Sequence, residues 1–234
     1  MDGRIKIFIM NLGEDLLKKF GKSFSENISL SNYSWFNLGG KAEFFFKPSD
    51  KSQLIEFLIE AKKNNLKTTI LGAGSNTLIR DRGVKGAVIK LSQSFSYTKL
   101  IGENIVEAGA ATLDRKVANF AKDNNIANLE FLSCIPGSIG GAIIMNSGCY
   151  ENDISKVLYS ITVIDKKDFS EKEIKKDDIK FLYRGTNLNE DLIIISAKFK
   201  GFVSDKKIIE KKQFDLVERK KLSQPCLLYT SPSP

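Results

Sequence analysis

IPGSIGGAIIMNSG, at residues 135–148, sets Pro136, Gly137, Gly140, Gly141 and Gly148 into a run otherwise made of Ile135, Ile139, Ile143, Ile144 and Met145. So apolar a segment belongs in a protein interior, yet a glycine inside regular structure costs roughly 1 kcal/mol. The glycines have a reason if backbone must lie here against a large planar or phosphorylated ligand. A buried crossover with close backbone packing explains them equally well.

A second glycine-rich stretch, LGAGSN (71–76), follows the β-branched run KTTI. Gly72 and Gly74 allow a ligand close to the backbone, and Ser75 and Asn76 add short polar groups, as in a pyrophosphate cradle. The dinucleotide pattern GxGxxG would need glycine at position 77, where Thr77 stands, and no Gly-Lys-Ser/Thr follows for a phosphate-binding Walker loop. Alone, LGAGSN describes a tight turn first and a cradle second. Paired with 135–148, it suits a two-part cofactor with a central pyrophosphate. Arg184, in FLYRGTN (181–187), is the third feature. Flanked by Phe181, Leu182 and Tyr183, it is expected to be partly desolvated, where a fixed positive charge acts most strongly. An ordinary surface arginine is the plain alternative.

Around these stretches the pattern is mixed α and β. Leu16, Leu17 and Phe20 fall at helical spacing within 13–25. In 49–65, Leu54, Phe57, Leu58 and Ala61 form one stripe behind a Ser49 cap. KAEFFFKP (41–48), GAVIKL (86–91), NIVEAGA (104–110), VLYSITVID (157–165) and LIIISAKFKGF (192–202) read as strands. TLDRKVANFAKDNNI (112–126) reads as a helix with Leu113, Val117, Phe120 and Ala121 inward, and 205–222 as an amphipathic helix. This is not the regular alternation of a doubly wound sheet.

Composition narrows the chemistry. The chain has no histidine, which excludes His-based triads and His metal sites. Cys134, Cys149 and Cys226 form no CxxC pair, so reduced thiols are expected, with no metal and no disulfide framework. The net charge of +8 comes from lysines interleaved with acids, as in DKKDFSEKEIKKDDIK (165–180), which reads as a solvated face. No nucleic-acid partner is expected. A positive balance does suit a ligand carrying several phosphates. The apolar start IKIFIM (5–10) is too short for a signal segment, and no later run approaches the roughly 20 apolar residues of a membrane span. A cytoplasmic, monomeric protein without a membrane partner is the expectation.

WFNLGGKAEFFFKP (35–48), LGAGSNTLIRDRGVKGAVIKL (71–91), LEFLSCIPGSIGGAIIMNSGCY (129–150) and LYRGTNL (182–188) stand in an order that resembles the UDP-N-acetylenolpyruvoylglucosamine reductase family. Gln224-Pro225 after the last helix fits the same pattern, and the match covers roughly residues 20–225. The resemblance implies an α+β fold: the two-subdomain FAD-binding fold of the vanillyl-alcohol oxidase type, followed by the start of a substrate-binding domain. It divides the chain into an N-terminal helical segment (1–31), a first FAD-binding subdomain (32–94), a second (95–203) and the start of the substrate domain (204–225). The activity implied is NADPH-driven reduction of the enolpyruvyl ether of UDP-N-acetylglucosamine to the lactyl ether of UDP-N-acetylmuramate, in peptidoglycan precursor synthesis. FAD is the non-covalent cofactor, and NADPH and the UDP-sugar are the partners.

By the same resemblance Arg184 is catalytic. Hydride addition at the terminal carbon of the substrate spreads negative charge over its carboxylate as an enolate, which a fixed cation stabilises. Gly72, Gly74, Ser75, Asn76, Pro136, Gly137, Ser138, Gly140, Gly141, Ala142 and Asn146 are expected to bind the cofactor. Gly109, Ala110 and Ile194 are expected to line the flavin. The family continues after Gln-Pro with a Gly-Ser-x-Phe-type motif whose serine donates a proton, and later with a glutamate. Here the chain reads CLLYTSPSP (226–234), with Ser233 between prolines, so that role is not carried over to it. A foreign tail and weak turnover are the expectation. The rival readings are a non-catalytic flavin-binding module and another oxidoreductase on this fold. Of these, a covalently attached flavin could use only Cys134 or Cys149.

Overall fold

In the computed structural model, which describes residues 3–223, the chain builds two sheets in succession. The first unit runs through α1 (Gly3–Phe20), β1 (Phe24–Ser29), β2 (Lys41–Phe46), α2 (Lys51–Lys63), β3 (Thr68–Ile70) and β4 (Val84–Ile89). Its sheet has the order β1-β2-β4-β3, with β1 antiparallel to β2 and the other pairs parallel. The β1 strand corrects the helical reading of 1–31. Helix α1 stops at Phe20 because Gly21 takes a left-handed φ of 53°, and the chain then pairs Phe24 with Phe46.

Helix α2 lays Leu54, Phe57, Leu58 and Ala61 on the sheet, the expected stripe. Its cap is Asp50 rather than Ser49: Gln53 N donates to Asp50 Oδ1 at 2.8 Å, and the Ser49 hydroxyl donates to the same carboxylate. Phe57 stacks on Phe46 at 3.9 Å between centroids, and Phe20 meets both rings edge-on. Phe57 is fully buried, so Phe57→Ala is expected to cost about 3–5 kcal/mol of stability in urea unfolding. A loss below about 1 kcal/mol would show that this aromatic cluster repacks freely.

The second unit starts with β5 (Thr98–Ile101), β6 (Ile105–Gly109), α3 (Asp114–Asp123), β7 (Ile126–Ala127) and α4 (Ile139–Ile144). The short pair β8 (Gly148–Cys149) and β9 (Asn152–Asp153), helix α5 (Ile154–Val157), β10 (Leu158–Asp165) and β11 (Glu171–Lys175) follow. A small hairpin of β12 (Phe181–Leu182) and β13 (Gly185–Thr186) leads to β14 (Leu192–Lys200), β15 (Phe202–Val203) and α6 (Lys206–Ser223). The main sheet is antiparallel in the order β11-β10-β14-β6-β5. Strand β11 lies inside the charged run read as a solvated face. It is an edge strand whose charges face water, and Lys172 bridges Asp165 and Asp168 at 2.7 and 2.9 Å. Leu113, expected inward, precedes α3 and is 42% exposed, while Val117 and Ala121 are buried as expected.

The two units are joined by a common apolar seam. Ile164, Ile193 and Ile195 of the second sheet enter the core built by Phe20, Phe24, Phe44, Phe46 and Phe57. Helix α6, placed by sequence at the opening of a further domain, packs onto the second unit. It buries Ile209 and Gln213, pairs Lys212 with Glu130, and donates from Lys220 to the Cys134 carbonyl. Gln224, Pro225 and the stretch 226–234 lie outside the described residues.

Candidate functional site: a cleft between two glycine loops

The C-terminal ends of parallel strands are natural ligand sites, and β3 delivers the 71–76 loop to one. Among the described residues, the amides of Gly72, Ala73, Gly74, Ser75 and Asn76 find no acceptor. Five neighbouring free donors form a ready anion cradle. The segment from Tyr33 into WFNLGG braces it from beneath. Trp35 N donates to Gly74 O at 3.1 Å and Ser34 Oγ to Thr77 O at 3.3 Å. Gly74 has a φ of 75°, and a Cβ there would stand 1.9 Å from Tyr33 O. No other residue fits that position.

The second loop is tied to the β6–α3 connection. Ile139 N donates to Thr112 O and Gly140 N to Ala110 O, both at 2.9 Å, and Asp114 N donates to Gly137 O at 3.2 Å. The two loops meet closely: a Cβ on Gly72 would lie 3.0 Å from Ser138 Oγ. Together they wall a cleft of about 1530 Å³. That exceeds the roughly 300–1,000 Å³ of ordinary ligand pockets, leaving room for a dinucleotide and a second ligand. Free amides on one wall and side-chain-free backbone on the other fit a pyrophosphate with flat groups on either side.

Gly72, Gly74, Ser75, Asn76, Ala110, Pro136, Gly137, Ser138, Gly140, Gly141, Ala142, Asn146, Arg184 and Ile194 all border this cleft. Gly109 does not. It sits within β6, where a Cβ would strike Phe95 O at 2.1 Å, so its smallness serves packing against the neighbouring chain. Asn146 uses its side chain for scaffolding: its amide donates to Leu182 O at 3.4 Å and accepts from Ser155 N at 3.1 Å. That first bond, with Thr186 Oγ1 donating to Ile144 O at 3.5 Å, docks the β12–β13 hairpin on the end of α4.

Arg184 occupies the tip of that hairpin with a left-handed φ of 57°. It is exposed, which corrects the expectation of partial desolvation. A two-residue hairpin turn projects its side chains outward. Its guanidinium lies 5.5 Å from the Tyr183 ring and pairs with no carboxylate among the described residues. An unpaired cation at a cleft rim is available to an anionic ligand, whose arrival would supply the desolvation.

Lys90 and Asp114 were not legible as site residues. Lys90 Nζ donates to Gly72 O at 2.6 Å beneath the cradle, and burial, with Lys47 nearby, holds its ammonium below the usual lysine range. Asp114 is fully buried beside Gly137, neither carboxyl oxygen has a hydrogen-bond partner among the described residues, and burial pushes its carboxyl well above the usual range. In sequence, the first is a lysine ending a strand and the second an acid opening a helix. Both are commonplace there. The Cys149 thiol, with Cys134 beside it, is pushed up to about 11 chiefly by burial, which makes it a poor nucleophile.

The FAD binding domain family matches residues 42–168. A UDP-N-acetylenolpyruvoylglucosamine reductase from Pelagibacter ubique (strain HTCC1062) is 41% identical over 223 residues, spanning 93% of this chain and 72% of that protein. One from Wolbachia sp. subsp. Drosophila simulans (strain wRi) is 37% identical over 209 residues, 89% of this chain and 70% of the relative. The crystal structure of the Thermus caldophilus reductase (MurB) superposes with a TM-score of 0.74 at 26% identity, covering 85% of this chain and 70% of that one. Physcomitrella patens BBE-like 1, at 15% identity and a TM-score of 0.59, shares the fold over 82% of this chain and 44% of its own. With an FAD-binding domain of the vanillyl-alcohol oxidase type and these relatives over most of its length, the chain belongs to the UDP-N-acetylenolpyruvoylglucosamine reductase family.

Proposed function

We propose that the protein reduces the enolpyruvyl ether of UDP-N-acetylglucosamine to the lactyl ether of UDP-N-acetylmuramate, with non-covalent FAD and with NADPH as electron source, in peptidoglycan precursor synthesis. The observation that carries this reading is the meeting of two glycine loops, one from each unit, along a cleft rimmed by Arg184. Bound FAD would supply a two-electron carrier between NADPH and the substrate.

The chain's own groups bind and orient the ligands, and the proton that completes the lactyl ether comes from water. The amides of 72–76 bind the pyrophosphate, with Lys90 adding positive charge from below. The Gly140–Gly141 backbone and the apolar edges of Ala110 and Ile194 offer a flat, water-poor wall. Arg184 binds the substrate carboxylate and holds the enolate charge as it grows there. In this reading the protein acts as a cytoplasmic monomer without nucleic-acid or membrane partners. No helix among the described residues is long and apolar enough to cross a membrane.

The purified chain is expected to carry flavin absorbance that is released on denaturation as intact FAD. Anaerobic NADPH should bleach it, and the enolpyruvyl UDP-sugar should restore it. Flavin that stays with the denatured chain, or that NADPH leaves oxidised, would defeat the proposal.

A further inference from the structure

Asp114 opens α3 at the seam between the two glycine loops and is fully buried. Neither of its carboxyl oxygens has a hydrogen-bond partner among the described residues. A buried polar group left without a partner lowers stability, so a side chain kept in that state at a ligand cleft points to the ligand as partner. The position is specific. A Cβ on Gly137 would lie 2.7 Å from Asp114 Oδ2 and 3.8 Å from Ser75 Oγ, so the carboxyl and the Ser75 hydroxyl converge on one point of the cleft wall.

The surroundings decide the protonation state. The stretches 71–76 and 135–138 carry no charged residue. On α3, the neighbouring Arg115 and Lys116 are exposed. Lys90 and Lys220, the lysines that reach these loops, donate to the carbonyls of Gly72 and Cys134. With no cation and no hydrogen-bond donor paired to it among the described residues, burial favours the neutral acid. A neutral carboxyl has one O–H to give, and phosphate oxygens only accept. A carboxylate at the same place would repel the diphosphate.

We propose that Asp114 binds the pyrophosphate of FAD as a neutral acid, donating its carboxyl proton to a phosphate oxygen where the two glycine loops meet. The inference rests on the FAD reading above. Its test is the FAD affinity of the full chain, followed by flavin fluorescence quenching from mildly acidic to alkaline pH. Asp114→Ala is expected to weaken binding about 10- to 100-fold, the range for a hydrogen bond to a charged group. Asp114→Asn keeps an N–H donor and should stay within about threefold of wild type at low pH. Wild-type affinity should fall as pH rises through the titration of Asp114, because the donor is present only below it, whereas the Asp114→Asn profile should be flat relative to it. The FAD-free Asp114→Ala protein should melt at or above the wild-type temperature, since an unpaired buried carboxyl has been removed.

Equal FAD affinity in wild type and Asp114→Ala overturns the inference, as do parallel pH profiles for wild type and Asp114→Asn. A large fall in the melting temperature of FAD-free Asp114→Ala assigns the residue to folding and overturns it too. If the wild-type chain binds no FAD at all, the cofactor reading itself fails, and the inference with it.

Discussion

Replacing Arg184 by methionine is expected to slow reoxidation of the reduced flavoprotein by the enolpyruvyl sugar about 10²–10³-fold, the usual cost of removing one group that stabilises an oxyanion. FAD affinity and the rate of reduction by NADPH should change by less than about twofold, because the exposed Arg184 side chain makes no hydrogen bond to either glycine loop among the described residues. The exposure of Arg184 sharpens this expectation. An exposed guanidinium interacts weakly in water, so its contribution should appear only when bound substrate excludes solvent around it. Arg184→Lys should recover part of the loss, since it restores the charge without the planar fork that matches a carboxylate. Stopped-flow measurement of the two half-reactions separates these effects. An Arg184→Met protein that reoxidises at the wild-type rate would remove Arg184 from the chemistry.

Gly74→Ala is expected to weaken FAD binding about 30- to 1,000-fold, from about 2–4 kcal/mol of conformational strain and displaced backbone. Two penalties coincide there. The φ of 75° disfavours any side chain, and the new Cβ would stand 1.9 Å from Tyr33 O, which belongs to the segment bracing the cradle. The loop can relieve the contact only by turning its free amides away from the pyrophosphate. Gly21→Ala supplies the control: its φ of 53° is similarly left-handed, but a Cβ meets nothing within 4 Å. It should lose about 1 kcal/mol of stability, with FAD affinity unchanged. Titration of both variants with FAD, alongside thermal melts, distinguishes strain in general from damage to the cradle. Equal FAD affinities in the two would show that the 72–76 amides do not hold the cofactor.

Much of the scaffold was legible because its signals are local. The stripe of Leu54, Phe57, Leu58 and Ala61 makes α2 whatever it packs on, and the β-branched runs at 158–165 and 192–200 form β10 and β14. The reading failed where a partner sets the outcome. FSENIS has no apolar alternation, and it becomes β1 only because β2 offers an edge to pair with. EKEIK becomes β11 for the same reason at the border of the second sheet. Ser49 lost the cap of α2 to Asp50 by one residue, a difference that local geometry settles and composition does not.

The site divides along the same line. The order and spacing of WFNLGG, LGAGSN, IPGSIGG and YRG along the chain pointed to the family, the cofactor class and Arg184, since each depends on residue type and local backbone freedom alone. That two glycine loops about 60 residues apart face each other across one cleft depends on the apolar seam of Ile164, Ile193 and Ile195 with the phenylalanine core, which no local pattern encodes. The same long-range packing takes Gly109 off the cleft wall, turns Asn146 to scaffolding and leaves the carboxyl of Asp114 buried without a partner among the described residues. Burial and hydrogen-bond partners belong to pairs of distant residues, and they exist only once the chain has folded.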